Sequence, residues 1–285
     1  MSNSKQQTIL DWFYRAQPRT GLIDFGDLLA SAASEALGLS GMENAAYVAS
    51  NSSRIWSALQ LEQDLREREG VNPILEMIDV VRKCRWHSIL LGVAPPAEMR
   101  RRLRLRSRPA MIERIDNLTW RQYEALGCVV SQLCGASQVH LTPPGNECGI
   151  DFFATVTVNG NNHVFSGSRT PLRIVAQCKK YESRVDVEKI KSFNDTLGDL
   201  RKKEPKVTAL TPAWFQLTRG PIVGWVIAHK GFKSGAKTRA HNHGILLSDT
   251  IDLAEIAALS RDLPESMTTN ERADELIKRI QGLLT

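Results

Sequence analysis

The stretch Arg173-Ile174-Val175-Ala176-Gln177-Cys178-Lys179-Lys180-Tyr181 decides the fold. It is short, apolar and rich in β-branched residues, with Pro171 just before it, and it reads as a buried strand. Side chains two apart on a strand share a face. Gln177 and Lys179 therefore point one way, while Ile174, Ala176 and Cys178 point the other way into packing. A polar pair on an otherwise apolar strand costs stability unless it has partners. The partner expected for an amide and an amine in this setting is a metal ion bound to a phosphate.

The second half of the site lies upstream, in Cys148-Gly149-Ile150-Asp151-Phe152-Phe153-Ala154-Thr155-Val156, where Asp151 stands between a glycine-marked turn and another apolar strand. Asn159-Gly160 predicts a hairpin turn, because the pair suits the positive φ angles of type I′. The chain then returns through His163-Val164-Phe165 and a turn over 167–171 to the Gln177 strand. Such a meander sets Asp151 beside Gln177 and Lys179. One carboxylate and one amide oxygen make a hard-oxygen site suited to Mg²⁺, which takes few protein ligands. Lys179 is expected to hold or polarise the attacking water in metal-assisted phosphodiester hydrolysis.

Gly-Ile-Asp, a hairpin, then Gln-Cys-Lys-Lys-Tyr resembles the catalytic core of the Mrr-type restriction endonucleases. These belong to the PD-(D/E)xK superfamily, in the branch where Gln replaces the second acid. The resemblance runs from about Ile112 to Arg261. Trp120-Arg121-Gln122-Tyr123-Glu124-Ala125-Leu126 is similar to the family's first helix, with Glu124 matching its acid. Gly224-Trp225-Val226-Ile227-Ala228-His229-Lys230-Gly231-Phe232, Gly235-Ala236-Lys237, Gly244-Ile245-Leu246-Leu247 and Leu253-Ala254 resemble the closing strand–helix–strand–helix unit. The chain departs from the pattern at His229-Lys230, where relatives often carry Thr or Ser.

The resemblance implies an α/β fold: a restriction-endonuclease-like mixed β-sheet flanked by helices. It implies Glu124, Asp151, Gln177 and Lys179 as catalytic residues, with Asp151, Gln177 and Glu124 holding Mg²⁺ or Mn²⁺. It also implies DNA as substrate and a role in restriction or defence against foreign DNA. A neutral glutamine leaves less negative charge than a second acid, so weaker metal binding is expected. Two other readings stay open here: a non-catalytic nucleic-acid-binding module of a larger complex, and a nuclease acting on RNA or branched DNA.

The 285 residues suffice for one large or two modest domains. A formal charge of +6 favours polyanionic partners. Five scattered cysteines without metal-ligand spacing fit small buried thiols in a reducing cytoplasm. The start lacks an apolar signal core and no apolar run is long enough to span a bilayer, so no membrane association is expected.

Residues 1–92 read as an all-α domain that recognises DNA or a defence-system protein partner, with helices ending near Pro18, over 21–37, over 42–69 with Ile55, Leu59 and Leu61 on its apolar side, and over 73–91. Residues 93–111 read as an Arg-rich linker, in which Arg100, Arg101, Arg102, Arg104, Arg106 and Arg108 form the densest charge cluster. Backbone-phosphate binding competes there with a plain solvated helix face. Lys180 and Lys230 are further expected nucleic-acid contacts. Residues 112–262 form the nuclease-like domain, opened by the capping pattern Thr119-x-x-Gln122. Glu147 is a loop acid that could add a carboxylate, Trp214–Leu217 could add an edge strand, and His241 and His243 read as exposed non-ligands. A crossover helix over 187–203 predicts that the strand over 222–229 runs parallel to the Gln177 strand. The amphipathic helix in 263–285 is expected to dock on the body or to mediate a homodimer.

Overall fold

The computed structural model describes residues 2–68, 70–89, 95–145, 148–156, 171–215, 217 and 221–285. The Asn159-Gly160 hairpin, Glu147 and part of the expected linker lie outside these residues. The chain divides into two compact units, Met1–Ala110 and Met111–Thr285.

The N-terminal unit is mainly helical: α1 (Ser2–Arg15), α2 (Phe25–Leu37), α3 (Gly41–Arg68) and α4 (Pro96–Leu105). Asp24 caps α2 by accepting from the Gly26 amide at 2.8 Å. Buried Phe13 stacks on Phe25, and Trp56 meets Phe25 edge to face. The helix expected over 73–91 is instead an antiparallel pair, β2 (Leu75–Ile78) and β3 (Lys83–Trp86), joined at one edge by β1 (Ile23–Asp24). Two features override the helical reading. Buried Cys84 and Trp86 alternate with half-buried Lys83 and Arg85, a period of two. Buried Gln63 accepts from the Ile74 and Leu75 amides at 2.7 and 2.9 Å, which fixes that backbone as extended. Leu61 is 60% exposed, and Trp56 joins Ile55 and Leu59 on the buried side of α3 instead.

The Arg-rich segment does not stand apart as a linker. It forms α4 and packs within the N-terminal unit, where Arg106 donates to the Ser88 carbonyl at 3.2 Å. Residues 263–285 pack within the second unit.

The second unit carries α5 (Arg108–Asp116, of which residues 111–116 belong to it), α6 (Trp120–Leu133), β4 (Ala136–Leu141), β5 (Phe152–Val156) and β6 (Leu172–Lys179). These are followed by α7 (Val187–Lys202), β7 (Ile222–Ala228), α8 (Ser234–Asn242), β8 (Leu246–Asp249), α9 (Thr250–Leu259) and α10 (Thr269–Gly282). The sheet order is β4-β5-β6-β7-β8. The first three strands are antiparallel and the last three parallel, because α7 and α8 are crossovers that return the chain to the same end. Trp214 and Phe215 do not form an edge strand; Phe215 is buried against Phe153, with ring centroids 4.8 Å apart.

Both faces of the sheet are covered. Phe153, Val175 and Val226 face Ile190, Phe193 and Leu197 of α7. A side chain at Gly224 would come within 2.4 Å of Leu197, so only glycine permits this close approach of helix and strand. On the other face α6 lies against Phe152 and Ile227, and Gly127 provides the clearance. The expected capping box starts α6: Thr119 accepts from the Gln122 amide at 3.3 Å, and Gln122 accepts from the Thr119 amide at 2.8 Å. The C-terminal helix α10 docks on α6 through buried Ala273, Leu276 and Ile280. Among the described residues no helix is long and apolar enough to cross a membrane.

Candidate active site

Asp151 enters β5 at the point where the sheet's register fixes its neighbours. β5 pairs with β6 with Phe152 opposite Ala176, so Asp151 falls opposite Gln177. Its peptide is held from both sides. The Asp151 amide donates to the Ala176 carbonyl at 2.9 Å, and the Thr142 amide and hydroxyl both donate to the Asp151 carbonyl at 2.9 Å. The carboxylate accepts from the Cys178 amide at 2.6 Å, which ties it across to β6.

Gln177 is buried, with its side-chain nitrogen donating to the Gly149 carbonyl at 2.6 Å. The amide oxygen makes no hydrogen bond among the described residues. That oxygen is the one atom of the amide able to bind a cation. Gly149 has φ +70°, and a side chain there would meet the Gln177 nitrogen at 2.5 Å, so the turn before Asp151 requires glycine on both counts.

Glu124 lies on α6, largely shielded from solvent, with Arg121 donating to it at 2.6 Å. Burial first, then the Asp151 charge, raise its pKa, against the lowering effects of Arg121 and Lys179. Burial raises Asp151 as well, opposed by the Cys178 amide, Lys179 and Arg121. The structure thus brings Glu124, Asp151 and Lys179 within electrostatic reach of one another, with Gln177 beside Asp151. A shielded Glu124, its ionisation disfavoured by the Asp151 charge, stands near a half-buried Asp151 and an unengaged amide oxygen, which are hard-oxygen donors of the kind a divalent cation takes. Among the described residues no group of three or more His, Cys, Asp or Glu is gathered that could hold a metal ion.

A raised carboxylate pKa stabilises the fold below its ordinary value, and that contribution is lost as pH rises through the raised value. At neutral pH and without divalent ions, Asp151 therefore costs stability. Asp151→Asn keeps an oxygen for the Cys178 amide. It is expected to melt a few degrees above the wild type at pH 7 and to lose that advantage at pH 4, as measured by thermal unfolding in a chelator.

The expected nucleic-acid contacts are placed unevenly. Arg100 and Arg101 are exposed. Arg102 is paired with Glu98 at 2.9 Å, Arg104 is half-buried, and Arg106 holds the Ser88 carbonyl. Arg108 is 5% exposed, with its guanidinium over the Tyr14 ring at 5.8 Å, so it points into the N-terminal unit and not toward a phosphate. Lys180 donates to the Asp116 carbonyl at 3.1 Å, and Lys230 is half-buried. His229, at the departure from the family pattern, is a buried partner of Asp116 at 2.8 Å. His241 and His243 are exposed.

Sequence reasoning missed Arg121 and Thr142. The i,i+3 spacing of Arg121 and Glu124 on one helix was a usable signal. Nothing local marks Thr142 as the clamp on Asp151, because that contact forms only when β4 pairs with β5.

The family model of the Mrr catalytic domain, described as restriction endonuclease, matches residues 115–257, half of the chain. The chain belongs to this restriction endonuclease family. The matched region spans all four residues Glu124, Asp151, Gln177 and Lys179 of this Mrr-type domain. No curated protein matches the chain. Among solved structures it is similar to the DNA modification-dependent restriction endonuclease AspBHI, at 17% identity and TM-score 0.39, over 67% of this chain and 43% of that one. It is also similar to the MspJI restriction endonuclease, solved in complex with a 27-mer oligonucleotide, at 14% identity and TM-score 0.37, over 67% and 39%. A protein of unknown function, AF1548, aligns at 12% identity and TM-score 0.32, over 58% and 98%. The Mrr-type chain thus spans less than half the length of the first two relatives.

Proposed function

We propose that this chain is a divalent-metal-dependent endonuclease, using Mg²⁺ or Mn²⁺, that hydrolyses DNA phosphodiester bonds in defence against foreign DNA. The observation that carries the reading is the gathering of Asp151, Glu124 and Lys179 beside a glutamine whose amide oxygen is unengaged. Asp151, Glu124 and the Gln177 oxygen would hold the ion. When bound, it offsets charge on the phosphodiester and makes water a competent nucleophile at neutral pH.

The protein's own groups do the rest. Gly149 aims Gln177 by accepting from its nitrogen. The Cys178 amide and the Thr142 clamp fix Asp151. Lys179 shares a face of β6 with Gln177 and lies at the strand end, half-buried, where its ammonium can orient the attacking water and face the phosphate. Exposed Arg100 and Arg101, the latter loosely paired with Glu98 at 3.9 Å, are the cations of the Arg-rich helix we expect to meet a DNA backbone.

Supercoiled plasmid and a structured RNA of similar length, each incubated with the full chain in Mg²⁺, Mn²⁺ or EDTA, test this. Nicking or linearisation of the plasmid in metal and not in EDTA is expected. Cleavage of RNA alone would overturn the DNA assignment, and binding without cleavage in either metal would overturn the enzymatic one.

A further inference from the structure

The guanidinium of Arg121 is held between two acceptors. One terminal nitrogen donates to Glu124 at 2.6 Å and the other to the Thr142 carbonyl at 2.6 Å. The Arg121 and Glu124 side chains are only 22% and 13% exposed, so solvent screens the pair weakly. Thr142 is itself bonded to the Asp151 peptide, and the Arg121 charge reaches the Asp151 carboxylate. A full positive charge is therefore built into a cluster whose two acids and amide oxygen suit a divalent cation.

We propose that Arg121 is the resident counter-cation of this site. It balances Glu124 and Asp151 in the metal-free protein and competes with a divalent ion for Glu124, so that it weakens metal binding. The inference rests on the metal-site reading above. Its sign separates it from a purely structural role. A bridge that only ties α6 to the Asp151 turn would hold the ligands in place and strengthen metal binding. A competitor weakens it, because two cations a few ångströms apart repel; even at an effective permittivity near that of water, ~80, the repulsion is worth about tenfold in affinity or more. Neutral Gln177, in place of a second acid on β6, makes this competition more consequential, since less negative charge is available to share.

The test is calorimetric titration of Mn²⁺ into the full chain without DNA, for wild type, Arg121→Gln, Arg121→Lys and Asp151→Asn. Arg121→Gln is expected to bind Mn²⁺ about tenfold more tightly. Arg121→Lys keeps the charge but cannot span both acceptors, and its affinity should fall between the two. Asp151→Asn should abolish the event. Equal or weaker binding by Arg121→Gln, with Asp151→Asn still abolishing it, overturns the counter-cation role and leaves the metal site standing. Binding unchanged by Asp151→Asn overturns both. If thermal unfolding shows that the glutamine variant does not fold, the lysine variant decides: tighter binding than wild type supports the proposal, and equal or weaker binding overturns it.

Discussion

Lys179→Ala is expected to cleave DNA about a thousandfold more slowly than the wild type while melting at nearly the same temperature. The two halves of that result have separate causes. Lys179 ends β6 at the rim of the site, on the Gln177 face, and its charge acts on both Asp151 and Glu124. Removing it takes away the ammonium proposed to orient water or offset phosphate charge there. Its ammonium makes no hydrogen bond among the described residues, and the Tyr181 ring lies 6.0 Å away. Truncation therefore orphans no buried group, and the fold is unaffected. Single-turnover cleavage of a plasmid, alongside thermal unfolding, checks both halves. A variant that melts normally and cuts at the wild-type rate would remove Lys179 from the mechanism.

Arg272→Ala carries the largest expected effect on stability, a loss of at least ~3 kcal/mol. Arg272 is 3% exposed. One of its terminal nitrogens donates to the Leu263 carbonyl and to that of Pro264 at 2.9 Å. The other donates to Ala258 at 2.7 Å and Ser260 at 3.4 Å. It thus gathers the carbonyls at the C-terminal end of α9, where the helix has no internal donors left, and fastens α10 to them. Alanine would bury those acceptors unmet and leave a void. Urea unfolding of the full chain measures the loss; a change under about 1 kcal/mol would mean that water or a neighbouring donor replaces the guanidinium.

Arg272 also shows where a sequence stops being legible. The apolar stripe of α10 is plain from Ala273, Leu276 and Ile280, yet the arginine beside it looks like any helix-surface cation. Its acceptors come from a loop fixed only by tertiary structure. The same holds for the Arg-rich helix. Spacing marks a charge cluster, but Arg108 turns inward because Tyr14, ninety-four positions earlier, offers its ring face. By contrast, the period of two on β6 is enough to put Gln177 and Lys179 on one face, and the parallel course of β7 follows from the crossover helix. The strands at Leu75–Ile78 and Lys83–Trp86 were obscured by Pro73, which suits a helix start equally well, and by the absence of any local sign that Gln63 would fix the backbone there. What was legible at the active site is what lies on regular elements and the glycine-marked turn before Asp151; what was not is the pair of clamps, Thr142 and Arg121, that make those elements meet.

The central claim is that Asp151 and Gln177 share one divalent cation. Diffraction from crystals of the full chain grown with Mn²⁺, collected across the manganese absorption edge, tests it directly. An anomalous peak bonded to a carboxylate oxygen of Asp151 and to the side-chain oxygen of Gln177 is the predicted result. A peak bound elsewhere, at His241 and His243 for example, with none at Asp151, would contradict it.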